Sequence, residues 1–299
     1  MRVLLTGASG LIGSHVVPLL VDSGHEVHAV SSKPAEYPAG VQGHILDLLN
    51  SDSRPLLATL RPSHLLHLAW NVTPGKFWTT AENVQWLQAS LDLVQAFAAE
   101  GGQRWVGAGT CAEYDWSQSG VFCEIGATRP ATLYGACKCS LQMTADLLGK
   151  QLGLEVGWGR IFYPYGPREC GPRLVPSVIR SLLAGERAQC TEGLQVRDFV
   201  FVEDVAKAFV ALLMSPYQGP VNIGSGVPVT VRHVITRIGE IIGRPDLLEI
   251  GALPMRGLEP QEMVADISRL RSIGFQPQYS LDSGLERTIQ WWKNRSGKS

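Results

Sequence analysis

Tyr134 and Lys138 stand four residues apart in PATLYGACKCSLQM, the mostly apolar stretch from Pro130 to Met143. On a helix that spacing puts both side chains on one face, one turn apart. An ammonium beside a phenol favours the phenolate. It draws the hydroxyl from its ordinary value of about 10 toward the range where it exchanges protons at neutral pH. A Tyr/Lys pair on a helix is common by itself, and its weight comes from Thr110. That residue follows the apolar run Arg104–Gly109. Strand ends in open α/β folds face the ligand crevice, so its hydroxyl can share an oxygen with Tyr134.

A second group of residues indicates what such a tyrosine would work beside. Gly7, Gly10 and Gly13 in LLTGASGLIGSHVV follow the first apolar run and open a helical one. Glycines at this spacing let the chain turn tightly, let the backbone approach a pyrophosphate, and let helix pack on strand. Ser9, Leu11 and Ile12 complete the loop at the helix N-terminus, where N–H donors and the positive dipole end favour an anion. A dinucleotide cofactor is expected. Its type is read at the end of the second strand, where a carboxylate would accept from a ribose 2′-hydroxyl and repel a 2′-phosphate. HEVHAV ends instead in Ser31, Ser32 and Lys33. Two hydroxyls and an ammonium favour NADP, with NAD the alternative. Asp47 and Leu48 are placed to meet the adenine, or Asp47 is an ordinary surface aspartate.

These groups need a scaffold that brings Gly7, Thr110 and Tyr134 to one edge. Arg2–Thr6, His25–Val30, His64–Ala69, Arg104–Gly109 and Glu155–Phe162 read as strands, several of them apolar at consecutive positions, as in a sheet covered on both faces. Gly10–Ser23, Asn83–Glu100 and Thr132–Leu152 read as helices between them. The alternation predicts βαβ units and an α/β, Rossmann-like, doubly wound parallel sheet. Beyond Phe162 the pattern changes. Tyr163–Pro176 is rich in Gly and Pro and reads as loop. A short helix around Val175–Leu183 follows, then a strand and helix over Val196–Leu213 and a strand and turn over Pro220–Gly226. The expected division is a dinucleotide-binding domain of residues 1–163 with about 196–224, and a smaller interleaved substrate-binding lobe of 164–195 and 225–299.

Composition narrows the function classes. The 299 residues are 45% hydrophobic and 18% charged with a formal net charge of −1, which suits an ordered globular chain. No Lys/Arg block supports a nucleic-acid or membrane-surface partner. Six cysteines are too scattered for a disulfide framework. Cys137 and Cys139, two apart on a helix, make a poor metal pair, and no metal is expected. Met1-Arg2 runs straight into VLLTGASG and no apolar stretch approaches the length of a membrane span, so a reduced, soluble, cytoplasmic protein is expected.

With these residues in view, the chain resembles the extended short-chain dehydrogenase/reductases of the nucleotide-sugar epimerase/dehydratase group. The resemblance is carried by Thr6–Gly13, HLAW at His67–Trp70, Asn83, Thr110, YGACK at Tyr134–Lys138, RIFYPYGP at Arg160–Pro167, RDFVFVEDVA at Arg197–Ala206 and NIGSG at Asn222–Gly226. It implies Tyr134 as the acid/base, Lys138 on the nicotinamide ribose, and Thr110 on the reacting oxygen. It places Leu68, Ala69, Trp70, Asn83 and Phe162 around the cofactor. Arg197 and Arg256 would meet the diphosphate, Glu259 the ribose hydroxyls, and Leu174 and Val175 the base. Cys111, Ala112, Tyr163 and Arg173 would border the sugar. His67, mid-strand, reads as a core histidine.

The same resemblance sorts reactions. Dehydratases of the group carry an acidic residue where this chain has Ala112, and Glu113 is shifted by one, to the opposite face of an extended segment. Epimerase-reductases carry a cysteine there and a histidine where Arg173 stands. The remaining set, Thr110, Tyr134 and Lys138, reduces a ketone. The reading is therefore NAD(P)-dependent reduction of a keto group on a nucleoside-diphosphate sugar of the 4-keto-6-deoxyhexose type. The alternatives are a C4 epimerase with tightly bound NAD and an inactive NAD(P)-sensing binding protein. Helices 83–100 and 132–152 are the pair that forms a homodimer interface in the group. Leu87, Leu91, Val94, Met143 and Leu147 fit that role, or packing on the sheet.

Overall fold

The computed structural model describes residues 1–254 and 260–296. In chain order the first half is β1 (Arg2–Thr6), α1 (Gly13–Asp22), β2 (Glu26–Ser31), β3 (Val41–Ile45), α2 (Arg54–Leu60), β4 (His64–His67), α3 (Glu82–Ala99), β5 (Arg104–Thr110), β6 (Gly120–Phe122), α4 (Leu133–Leu152) and β7 (Glu155–Ile161). The second half is β8 (Tyr163–Tyr165), α5 (Leu174–Leu183), β9 (Ala188–Cys190), β10 (Val196–Arg197), β11 (Phe199–Phe201), α6 (Val202–Met214), β12 (Gly219–Ile223), β13 (Val229–Thr230), α7 (Val231–Ile242), β14 (Leu248–Ile250), β15 (Glu262–Ala265), α8 (Ser268–Ser272) and α9 (Leu281–Ser296).

Seven strands form one sheet in the order β12-β7-β5-β4-β1-β2-β3. Every neighbouring pair in it is parallel. The order reverses between β1 and β4, the switch point at which open α/β sheets bind ligands. One apolar layer packs Val16, Leu20 and Phe209 of α1 and α6 on one face of the sheet. The other packs Leu93, Phe97, Leu141 and Ala145 of α3 and α4 against Trp105 and Trp158. A third cluster, around Ile179, Phe201, Ile235 and Leu285, packs α5, α7 and α9 against β11.

The region from 163 to 176 is not all loop. Tyr163–Tyr165 pairs in parallel with β11, and α5 begins at Leu174. A small sheet in the order β13-β10-β15-β6 takes its edge strand, Gly120–Phe122, from the first half of the chain. The two halves of the chain therefore share a sheet. Asp198 fastens the seam: its carboxylate accepts from the Ser225 and Gly226 N–H groups at 2.6 and 2.9 Å and from the Ala265 N–H at 3.0 Å. Among the described residues no helix is long and apolar enough to cross a membrane.

Candidate active site

The first turn after β1 is closed by glycines that nothing else could replace. Gly7 has φ +70°, and a Cβ there would lie 2.7 Å from the Ala69 nitrogen. A Cβ on Gly13 would lie 2.2 Å from the Gly7 carbonyl oxygen and 2.7 Å from the Ala8 Cα. The backbone is thus drawn in against the end of β4, and α1 opens with no side-chain cap. This leaves a backbone cradle and a helix N-terminus of the kind that suits a pyrophosphate.

The cradle forms one end of a cavity of about 1020 Å³ bordered by Gly7, Ser9, Gly10, Leu11, Ile12 and Gly13. Ser31, Ser32, Asp47, Leu48, Leu68, Ala69 and Trp70 also border it, as does Phe162. Lys33 does not, although the Ser31 hydroxyl donates to its carbonyl at 2.7 Å. Asp47 is engaged locally, accepting from the Leu49 N–H at 3.1 Å and the Asn50 amide at 2.8 Å.

Midway along the cavity α4 delivers Tyr134. Thr132 caps this helix by accepting from the Gly135 N–H at 3.1 Å, and Gly153 ends it in the left-handed region. A Cβ on Gly135 would lie 2.3 Å from the Ala112 carbonyl, so only glycine lets α4 press onto the turn after Thr110. Tyr134 and Thr110 both border the cavity, and the Thr110 side chain acts on the phenol to favour its ionised form. Rings of Phe77 and Trp78 stand edge-on to Tyr134 at centroid distances of 5.0 and 5.8 Å, and the Tyr134 N–H donates to the Trp78 carbonyl.

The expected effect of Lys138 on Tyr134 requires correction. Lys138 Nζ donates to the Ala108 carbonyl at 2.8 Å and lies 3.8 Å from the centre of the Trp70 ring. The ammonium is directed at the sheet and the indole, and it does not border the cavity. Burial raises the Tyr134 hydroxyl above its ordinary value, the Thr110 hydrogen bond opposing this; the cation that helps lower it is Arg173. Tyr134 is accordingly a protonated phenol at neutral pH. Burial pushes Lys138 down to about 7, with Glu113 acting the other way.

Glu113 is turned from the cavity, as expected, but by a 3-10 turn over Cys111–Glu113 and not by an extended segment. Fully buried, it accepts from the Thr110 N–H at 2.8 Å, from Trp158 Nε1 at 3.0 Å and from Arg160 Nε at 2.8 Å. It fixes Thr110 from below. Asn83 also stands behind the wall: it accepts from Trp70 Nε1 at 2.9 Å and donates to the Phe77 and Thr80 carbonyls. His67 is a satisfied core histidine, bonded to Thr6 and Ser90, and burial lowers it to about 3.

Cys111, Ala112, Tyr163, Arg173, Leu174, Val175 and Arg197 also border the cavity. Arg197 is buried, with its guanidinium 5.3 Å from the Tyr163 ring. Arg173 reaches over Phe77 at 5.8 Å and donates to the Val72 carbonyl. Arg256 and Glu259 lie outside the described residues. The sequence reading missed the aromatic wall of Phe77, Trp78 and Trp116, and Glu169, which borders the cavity with one carboxyl oxygen unpartnered among the described residues. Burial pushes Glu169 up to about 8. The available signal was KFWTT, apolar rings just ahead of α3.

Comparison with known proteins shows the family. The NAD dependent epimerase/dehydratase family matches residues 3–224. The chain is 28% identical to the UDP-glucose 4-epimerase of Mycolicibacterium smegmatis, over 99% of this chain and 100% of that protein. It is 27% identical to UDP-glucuronic acid decarboxylase 1 of Xenopus tropicalis, over 98% of this chain and 72% of that one. Among solved structures, MoeE5 in complex with UDP-glucuronic acid and NAD superposes with a TM-score of 0.87 at 30% identity, covering 99% of this chain and 100% of MoeE5.

Proposed function

Because the chain belongs to the NAD-dependent epimerase/dehydratase family, we propose that it interconverts the C4 epimers of a uridine-diphosphate hexose with bound NAD. The observation that carries this reading is Tyr134 standing with Thr110 on the cavity wall while the neighbouring carboxylate of Glu113 is committed to Arg160 and Trp158. Elimination of water needs a further base beside the tyrosine. Epimerisation needs one group that takes the proton from O4 and gives it back. NAD, when bound, accepts hydride from C4 and returns it. The Tyr134 phenol holds its proton without cofactor. Beside the positive nicotinamide ring of bound NAD the phenolate would be favoured, and it would take the O4 proton in the oxidation and return it after the sugar presents its other face. Thr110 holds that oxygen. Atoms and electrons balance with no net consumption of cofactor. Gly7 to Gly13 would receive the pyrophosphate, and Arg197 the diphosphate of the sugar nucleotide. The UDP-sugar relatives support the substrate class, and NAD in the MoeE5 structure supports the cofactor.

A second reading, reduction of a 4-keto sugar with NADPH, is favoured by one feature: Ser31 and Ser32 border the cavity where a carboxylate would select NAD. A homodimer through α3 and α4, in a soluble cytoplasmic enzyme, is part of both readings.

The test is the purified protein with UDP-glucose, UDP-glucuronic acid and a 4-keto sugar nucleotide. Appearance of the C4 epimer without net loss of nicotinamide absorbance is expected. Stoichiometric NADPH loss with the keto sugar alone would replace this reading by the second, and dinucleotide binding without turnover of any sugar would favour a sensor. Tyr134→Phe should lower turnover by about 100-fold or more while leaving dinucleotide affinity within about threefold.

A further inference from the structure

Lys138 and the cavity are separated by one side chain. The lysine is 3% exposed. Its ammonium has three N–H donors, and the oxygen it donates to is that of Ala108. The face of Trp70 stands where a second acceptor would be, 3.8 Å away, an attraction between a cation and a ring quadrupole. Trp70 borders the cavity and Lys138 does not, so the ring that lies over the ammonium is itself part of the cavity wall.

The indole is itself held. Its Nε1 donates to Asn83 Oδ1 at 2.9 Å, and its ring stacks on Trp86 at 6.0 Å. Asn83, 1% exposed, spends its two amide protons on the Phe77 and Thr80 carbonyls at 2.7 and 2.9 Å. Both carbonyls belong to the stretch between β4 and α3 that also carries Trp78 against Tyr134. Trp70 and Lys138 are thus joined by a contact that a hydroxyl oxygen can outcompete, whereas the Asn83 bond must be broken or rearranged for the ring to move.

We propose that Trp70 is a cover on Lys138, latched by Asn83, which must swing off the ammonium before a dinucleotide's ribose hydroxyls can take its place. The proposal rests on the reading that Lys138 meets that ribose. Dinucleotide affinity is then the intrinsic affinity reduced by the fraction of molecules that are open. Asn83→Ala, which frees the latch and keeps the indole, raises that fraction.

The first arm of the test needs neither cofactor nor activity. Dinucleotide-free protein is acylated with N-hydroxysuccinimidyl acetate and each lysine is followed by peptide mass spectrometry, with exposed Lys33 and Lys76 as internal standards. Lys138 should react slowly in the wild type and about tenfold faster in Trp70→Ala and Asn83→Ala, with Lys33 and Lys76 unchanged. The second arm follows tryptophan emission during NAD titration: the wild type changes on binding, and Trp70→Phe should lose most of that change. Should Trp70→Ala fail to fold, Asn83→Ala and Trp70→Phe decide. Wild-type labelling of Lys138 in Asn83→Ala, or an undiminished emission change in Trp70→Phe, would make the indole a fixed wall and overturn the proposal. A wild type that binds no dinucleotide would instead count against the proposed function, and the labelling arm would still decide on the cover.

Discussion

At the scale of residues, burial dominates the titration of the two groups that chemistry would use. Lys138 falls to about 7 from an ordinary value of about 10.4. Between those two values the unfolded chain holds a proton that the folded one has released, so this site makes stability rise with pH across that window. Below it, the fold carries a buried ammonium, held by Ala108 and Trp70. Lys138→Met is therefore expected to stabilise the protein while abolishing turnover. The gain is on the order of 2 kcal/mol at pH 6 and shrinks toward zero by about pH 10. Thermal melts of both proteins at pH 6 and pH 9.5 check this, and a variant no more stable than wild type at pH 6 would refute it. That Thr110 and Tyr134 meet at one cavity was legible in the sequence, because a strand end and a helix start constrain them. The direction of the ammonium was not. It depends on Trp70 occupying the space beside it and on Ala108 presenting a carbonyl, neither of which spacing along the chain encodes.

At the scale of elements, close approaches of backbone decide where the site forms. Gly13 and Gly10 separate two effects. A Cβ at Gly13 meets backbone atoms of Gly7 and Ala8 at 2.2 and 2.7 Å, which no side-chain rotation relieves, whereas one at Gly10 meets the Gly7 oxygen at 3.2 Å. Gly13→Ala should cost about 2–3 kcal/mol of stability and at least tenfold in dinucleotide affinity, and Gly10→Ala much less stability. Chemical denaturation with NAD binding on the same samples measures both; equal stabilities for the two variants would contradict the cradle. Elements with strong local signals were readable in advance. The helix expected over Thr132–Leu152 is α4, one residue shorter at its start, and the strand expected over Arg2–Thr6 is β1. The strands β6, β10, β13 and β15 were not recognised as one sheet because each is two to four residues long. Their pairing joins positions as far apart as Gly120 and Met263, or Val196 and Glu262, and is fixed by the Asp198 seam, so no local period exists to read.

At the scale of the molecule, the two helices that carry Tyr134 and Asn83 also present an uncovered apolar face. Leu93, Val94, Leu141 and Ala145 turn inward against Trp105 and Trp158. Met143 and Leu147, four apart and so on one stripe of α4, are 57% and 62% exposed, and Val84 on α3 is 41% exposed. The sequence left open whether these residues serve sheet packing or a dimer. The structure divides them, with Val94 in the core and Met143 and Leu147 outside it. An apolar stripe beside another helix of the same kind suits a two-fold contact, in which each residue meets the same patch of a second copy. Leu147→Arg would then put like charges from both copies into one apolar interface. The expected result in sedimentation equilibrium is a wild type of twice the chain mass at micromolar concentration. The variant should dissociate at a concentration at least about tenfold higher, a change of about 1.4 kcal/mol. Because α4 also delivers Tyr134, turnover of the monomeric variant should fall if the contact steadies that helix, and a wild type that sediments as a monomer would remove the interface altogether.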